Sequence, residues 1–302
     1  MQNGLPEIES YSAKELTFAQ EKSSAIRRYL ELIKKNPTSH TSELRLERHR
    51  YWLQAALSVL CKKNSPEEVC RFWSLCADKI AKKAWTLSGC DQHALSLLAL
   101  GKWGSLELNL SSDIDVIFIS KHPPDQDIFK CVKNFIHLLT EQNDTGFCYR
   151  VDTDLKPGGR SAPVVSSLSQ LEDYYWSHGA TWERLALVRL RPIISPAAQQ
   201  SEINQIVSKF VFRKYLDFDL LNDLKHLRQQ IQAYHPTIDT ELNLKLCVGG
   251  IRDIELFLHS LQVIHGGKFP HLRTTSTSRA AMFLMQYKHF DEVELTKLIT
   301  YY

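Results

Sequence analysis

The sequence lacks several features that would each settle a class. It has no long apolar run: residues 94–100 are the most apolar stretch near its centre, far short of the roughly 20 residues that span a bilayer. It has no dominant charge: 37 Lys and Arg face 34 Asp and Glu, a net +3, with the two signs interspersed. That balance argues against a nucleic-acid partner while leaving room for a local basic cleft around a nucleotide. The first ten residues are polar and acidic, without the basic-then-apolar order of a secretory signal. Seven cysteines form an odd, scattered set without a Cys-x-x-Cys pair, which predicts free thiols in a cytoplasmic protein and argues against a zinc site. His259, His265 and His271 lack a ligand spacing. Internal repeats and low-complexity segments are absent too.

Three regions remain. Residues 1–94 carry apolar residues at helical spacing, broken at Asn36-Pro37. Ser65-Pro66-Glu67-Glu68 combines an N-cap serine, a proline at the first helical position and a glutamate placed to close a capping box. The helix it opens carries Val69, Phe72, Trp73, Cys76 and Ile80 on one stripe and is predicted to stop near Gly89. Residues 95–198 change character. A short apolar run leads through Gly101, Lys102 and Gly104 into a strand that begins Asp113-Ile114-Asp115. After Pro123-Pro124 comes an amphipathic helix over 127–142, then a strand over 147–151 with Asp152 directly behind it. Lys156-Pro157-Gly158-Gly159-Arg160 is a basic glycine-rich loop, and Ser169 to Glu172 reads as a second capping box. A helix starting at Trp182 is expected to reach Pro192. Residues 199–302 return to helix, with one long helix over 202–233 and another over 251–265. The second of these has an apolar seam and a polar row of Arg252, Glu255, His259 and Gln262, read either as a solvated face or as a cleft lining. The fold class expected is α+β, mostly helical, with a small mixed-sheet core between N- and C-terminal helical regions.

The chemistry is concentrated in the middle region. Side chains two apart on a strand share a face, so Asp113 and Asp115 are expected side by side. Carboxylates that close need a cation between them, and a divalent ion is the simplest one. Asp152 at the end of the next strand is placed to join them. The glycine–lysine turn upstream suits phosphate, although it is not a phosphate-binding loop of the Gly-Lys-Ser/Thr kind, because the spacing differs and an extended segment follows. The pattern points to metal-dependent phosphoryl or nucleotidyl transfer.

The segment Gly101-Lys102-x-Gly104-x-x-Glu107-Leu108-Asn109-x-Ser111-Ser112-Asp113-Ile114-Asp115-x-Ile117-Phe118 resembles the signature of the glutamine synthetase adenylyltransferase family, bifunctional enzymes of the polymerase-β-like nucleotidyltransferase superfamily. Tyr149-Arg150-Val151-Asp152-x-x-Leu155-x-Pro157 resembles the family's second acidic motif. Leu171-Glu172-Asp173-Tyr174-Tyr175, Trp182-Glu183-Arg184, Phe212-Arg213-x-Tyr215-Leu216-Asp217-Phe218 and Gly249-Gly250-Ile251-Arg252-Asp253-Ile254-Glu255 continue the likeness.

Within that family the chain is most similar to the N-terminal, adenylyl-removing half, through Asn109, Ser161-x-Pro163 and the Gly-Gly-Ile-Arg segment. The resemblance implies a nucleotidyltransferase core. It implies Asp113, Asp115 and Asp152 as catalytic residues holding Mg²⁺ or Mn²⁺. Gly101, Lys102, Gly104, Ser112 and Lys156 would contact nucleotide or phosphate, and Arg252 and Glu255 would line the cleft. ATP, ADP and phosphate are the implied substrates or products, glutamine synthetase the protein substrate, and a PII-type nitrogen-regulatory protein a partner. The implied reaction is phosphorolytic removal of AMP from a tyrosine, or its addition from ATP. Two other readings stand beside it: a relative acting on another substrate, and a catalytically weak module that senses nucleotide or docks a regulator.

Ala99 and Ser105 occupy positions where the family has glycine, and Asp154 and Lys156 positions where it has arginine. Alanine does not adopt positive φ cheaply, so an altered loop is expected around Ala99. A pocket less welcoming to polyphosphate is expected around residues 154–156.

Overall fold

The structure is a computed structural model that describes residues 4–213, 218–233, 243–245, 247, 249–286 and 292–301. Its contacts divide the chain into two units, 1–167 with 192–196, and 168–191 with 197–302. These units cut the chain differently from the three regions read from the sequence, since the N-terminal helices and the sheet belong to one body.

In the first unit, α1 (Ala13–Lys22), α2 (Ser24–Leu32), α3 (His40–Leu60) and α4 (Pro66–Ser88) precede the sheet. The α4 start forms as its sequence dictates. The Glu68 N–H donates to Ser65 Oγ at 3.2 Å and the Ser65 N–H to Glu68 Oε2 at 2.9 Å, so two otherwise orphaned donors are satisfied reciprocally. At the far end Gly89 closes the helix at φ 78°. Ala19, Ile26, Leu53 and Leu57 join α1 and α2 to α3.

Five strands follow: β1 (Leu95–Ala99), β2 (Ile114–Ser120), β3 (Val151–Asp152), β4 (Val165–Ser167) and β5 (Arg191–Ile194). The central strand is β2. On one side β1 runs antiparallel to it, from Leu95 opposite Ser120 to Ala99 opposite Val116. On the other side two short parallel strands share its length: β3 beside Ile114 and Asp115, β4 beside Phe118 to Ser120. β5 lies outside β1. Between β1 and β2 the chain forms the single turn α5 (Gly101–Gly104), and α6 (Gln126–Thr140), capped by Asp125, makes the crossover to β3. A fully apolar β2 interior packs against α4 and α6: Trp85 meets Phe118 and Phe135 with ring centroids 6.4 and 5.5 Å apart. Each such side chain contributes roughly 1.5–3 kcal/mol of burial.

A polar cluster sits between α3 and the turn after α6. Arg45, wholly buried, donates to Glu141 Oε2 at 2.8 Å and to the Glu141 carbonyl at 3.0 Å. Arg48 lies over the rings of Tyr29, Trp73 and Tyr149. His49 stacks on Tyr29 and its Nε2 bonds the Thr145 carbonyl at 2.7 Å. Burial, with the nearby Arg48 charge adding to it, pushes the His49 imidazole down to about 4.

The second unit contains α7 (Leu168–Ser177), α8 (Thr181–Leu187), α9 (Ala197–Val211), α10 (Phe218–Ala233), α11 (Ile251–His265), α12 (Thr277–Met285) and α13 (Glu292–Tyr301). Ile254, Leu258, Leu272, Ala281, Leu284 and Leu295 form one apolar cluster within it. The polar row of α11 is not a uniformly solvated face. His259 and Gln262 are buried. Arg189 donates to Glu255 at 3.0 Å, to His259 Nε2 at 3.1 Å and to Thr277 Oγ1 at 2.8 Å. Gln262 donates to the Leu272 and Thr274 carbonyls, both at 2.7 Å. Burial holds the His259 imidazole well below its ordinary value.

Four local expectations change. The strand expected over 147–151 narrows to Val151–Asp152. Ser169, read as the N-cap of a capping box, lies inside the first turn of α7, which follows β4 directly. Residues 191–194, read as a helix end, are a strand. The single helix over 202–233 is interrupted: α9 stops at Val211, with 214–217, including Tyr215, Leu216 and Asp217, outside the described residues. All seven cysteines are free thiols. Among the described residues no helix is long and apolar enough to cross a membrane.

Candidate active site

The site lies where β1 ends and β2 begins. Asp115 and Asp152 are register partners on adjacent parallel strands, so their side chains leave the same face of the sheet. Asp115 is fixed from both ends. Its carbonyl accepts the Leu100 N–H at 3.0 Å, and its carboxylate lies against Gly101, where an added Cβ would stand 2.0 Å from Oδ2. Gly101 also has φ +53°. Glycine is demanded there twice, by the backbone and by the carboxylate. Asp152 Oδ1 accepts the Asp154 N–H at 2.7 Å, which orients it from its own turn.

Asp113 does not complete the expected triad. Its carboxylate accepts from Arg150 Nε, while Arg150 Nη2 donates to the Ser111 carbonyl at 2.8 Å. Among the described residues no three His, Cys, Asp or Glu side chains converge as a metal cage. Asp115 and Asp152 nonetheless fit a magnesium ion, which takes one or two carboxylates and fills its remaining positions with water and phosphate oxygens. Arg150 was absent from the residues expected at the site. Its signal was in the sequence: it stands two positions before Asp152, on the same face of an extended segment.

The other expected contacts divide. Lys102 and Gly104 lie in the α5 turn beside Gly101, Lys102 half-buried and Gly104 buried. The turn is tied to α4 by Trp103, whose Nε1 donates to Asp78 Oδ1 at 2.8 Å. Ser112 donates to Asn109 Oδ1. Lys156 is buried and its Nζ donates to the Thr153 carbonyl at 3.3 Å, so it is turned inward. Asp154, the acid expected to repel polyphosphate, is paired with Arg160 at 2.6 Å. Ala99 does not distort the loop. It is a buried residue of β1 opposite Val116, and among the described residues the non-glycine positions at positive φ are Lys62 and Leu106. Arg252 and Glu255 belong to the second unit, Glu255 held by Arg189 as above.

A helix-clad mixed sheet that pairs carboxylates on neighbouring strands behind a glycine turn has the architecture of a nucleotidyltransferase core. A model of the glutamate-ammonia ligase adenylyltransferase family matches residues 5–206, and one described as PII-uridylyltransferase matches residues 222–302. The bifunctional glutamine synthetase adenylyltransferase/adenylyl-removing enzyme of Shewanella woodyi is 36% identical over 219 residues, 69% of this chain and 23% of its own length. The enzyme of the same description from Alteromonas mediterranea is 38% identical over 204 residues, covering 64% and 20%. That from Aromatoleum aromaticum is 38% identical over 200 residues, covering 63% and 21%. The chain belongs to the glutamate-ammonia ligase adenylyltransferase family, and it spans under a quarter of the length of these relatives.

Proposed function

We propose that the chain is a nucleotidyltransferase head that removes AMP from an adenylylated tyrosine of glutamine synthetase by phosphorolysis, with Mg²⁺ held by Asp115 and Asp152. The observation that carries this reading is the in-register pairing of those two carboxylates behind Gly101. In the reaction a phosphate oxygen bonds to the phosphorus of the tyrosyl-AMP diester. The bond from phosphorus to the tyrosyl oxygen breaks, ADP forms, and the tyrosyl oxygen leaves with a proton. Magnesium, with manganese as the alternative ion, supplies charge neutralisation for the two anions that must meet. The chain's own part is positional: Leu100 N–H and Gly101 fix Asp115, Asp154 N–H fixes Asp152, and Lys102 lies in the turn beside them. The removing direction rests on the likeness of Asn109, Ser161, Pro163 and Arg252 to the adenylyl-removing half. A PII-type protein is proposed as a regulator docking on residues 222–302, on the likeness of that stretch to a family named for acting on it.

The chain is incubated with adenylylated glutamine synthetase, phosphate and Mg²⁺, and ADP is followed. ADP release that disappears in Asp115→Asn and Asp152→Asn, with circular dichroism unchanged, is expected. No ADP, or ADP that survives Asp115→Asn, overturns the proposal. Pyrophosphate release from ATP with unmodified glutamine synthetase, and no ADP in the first assay, assigns the adding direction instead.

A further inference from the structure

The chemistry above leaves unused two motifs singled out in the sequence, and the structure brings both to one cavity of the second unit. Glu172 and Tyr175 come from the Leu171–Tyr175 motif on α7, and Arg213 from the motif that follows α9. The cavity holds about 460 Å³, within the size range of small-molecule sites. Its floor is the Tyr175–Phe210 pair, ring centroids 4.6 Å apart and planes 15° from parallel. Phe210 reaches this position because residue 179 is glycine: a Cβ there would stand 2.4 Å from Phe210 Cε2.

Two features of the cavity point to a ligand. Trp176 is 89% exposed beside a Tyr175 that is buried, so a full indole face stands at the rim without covering the floor. Lys209 and Arg213, four positions apart, also line the cavity, and Glu172 is the one acid among its described lining residues. An exposed indole stacks on any flat heterocycle, and a lysine and an arginine close together attract phosphate. The ligand that satisfies both is a planar ring joined to an anionic group.

We propose that this cavity binds a purine nucleotide, with the base on Trp176 and the phosphates on Lys209 and Arg213, as a site that needs neither Asp115 nor Asp152. The proposal goes beyond the reading of the acidic site and stands without it. A nucleotide here would let the second unit respond to the same class of molecule that the first unit is proposed to release.

The intact chain is titrated with ATP in EDTA, by calorimetry and by tryptophan fluorescence. Saturable binding with quenching is expected. Trp176→Phe removes most of the quench among the six tryptophans. Trp176→Ala and Lys209→Met each weaken affinity about tenfold, the size of one lost base stack or charge-assisted contact. Both positions are on the surface of the cavity, and circular dichroism checks that the variants are folded. Adenosine and tripolyphosphate each bind at least tenfold more weakly than ATP, and Asp115→Asn binds ATP unchanged. Absence of binding, binding indifferent to both Trp176→Ala and Lys209→Met, or binding lost in Asp115→Asn overturns the proposal. None of these outcomes depends on ADP release, so the acidic-site reading fails or stands separately.

Discussion

Gly101 and Asp115 share one space: a methyl group on the glycine would stand 2.0 Å from the carboxylate Oδ2. The cheapest relief is rotation of Asp115, which takes it out of line with Asp152. Gly101→Ala is therefore expected to abolish ADP release and to weaken Mn²⁺ binding at least tenfold. The left-handed backbone adds a stability cost of about 1–2 kcal/mol. Mn²⁺ titration and urea unfolding separate the two effects; a variant that loses stability but binds Mn²⁺ normally would show that Asp115 does not depend on the glycine.

Arg150 is expected to oppose metal binding. Its guanidinium engages Asp113 with both side chains about half exposed, so the pair itself contributes no more than about 1 kcal/mol. Arg150→Met removes a cation near Asp115 and Asp152 and frees a third carboxylate. Mn²⁺ affinity should rise several-fold while thermal stability falls slightly, read by Mn²⁺ titration and a melting curve on the metal-free protein. Unchanged or weaker affinity would mean that Arg150 supports the site by holding the Ser111 carbonyl.

His49 gives the fold a pH dependence. Its folded-state pKa of about 4 lies below the ordinary 6.5, so the unfolded chain binds the proton more readily. The stabilisation is fully present above pH 6.5 and is lost as pH falls toward 4, at about 1.4 kcal/mol per pH unit. Urea unfolding at pH 7.5 and 5.5 should show at least this loss, since the buried His259 adds one of the same sign. His49→Gln should make the pH dependence smaller than in wild type.

The Trp103–Asp78 hydrogen bond ties the α5 turn to α4. Trp103 is wholly buried, and Trp103→Phe keeps most of the apolar volume while removing the donor. A loss of about 1–3 kcal/mol in chemical unfolding is expected.

Local signals were legible at α4 and β2, where short-range chemistry decides the structure. Ser65, Pro66 and Glu68 dictate the start of α4 and Gly89 its end, and the apolar run after Asp113 dictates β2. β5 was not legible, because four residues containing Pro192 form a strand only by lying beside β1, almost a hundred positions earlier. Proline is tolerated there at a sheet edge. The acidic site was half legible. Spacing put Asp113 and Asp115 on one face, but the partner each one takes comes from β3 and the residue before it: Asp152 by strand register, Arg150 by charge. The burial of His259 and Gln262 in the α11 row was not legible, because helical periodicity reports which side chains align and says nothing of what they meet. Here Glu255 and His259 meet Arg189, and Gln262 meets two carbonyls.

The β2–β3 register has a consequence for how the site comes into being. Asp115 and Asp152, like Asp113 and Arg150, are 37 positions apart in sequence, and both meetings wait for the α6 crossover to close. Such long-range pairings carry a loop-closure cost before any contact repays it. A chain interrupted anywhere between β2 and β3 would carry every helix and strand up to β2 and no acidic pair. During refolding, metal binding should appear after the helices, as a late clock on the assembly of the sheet.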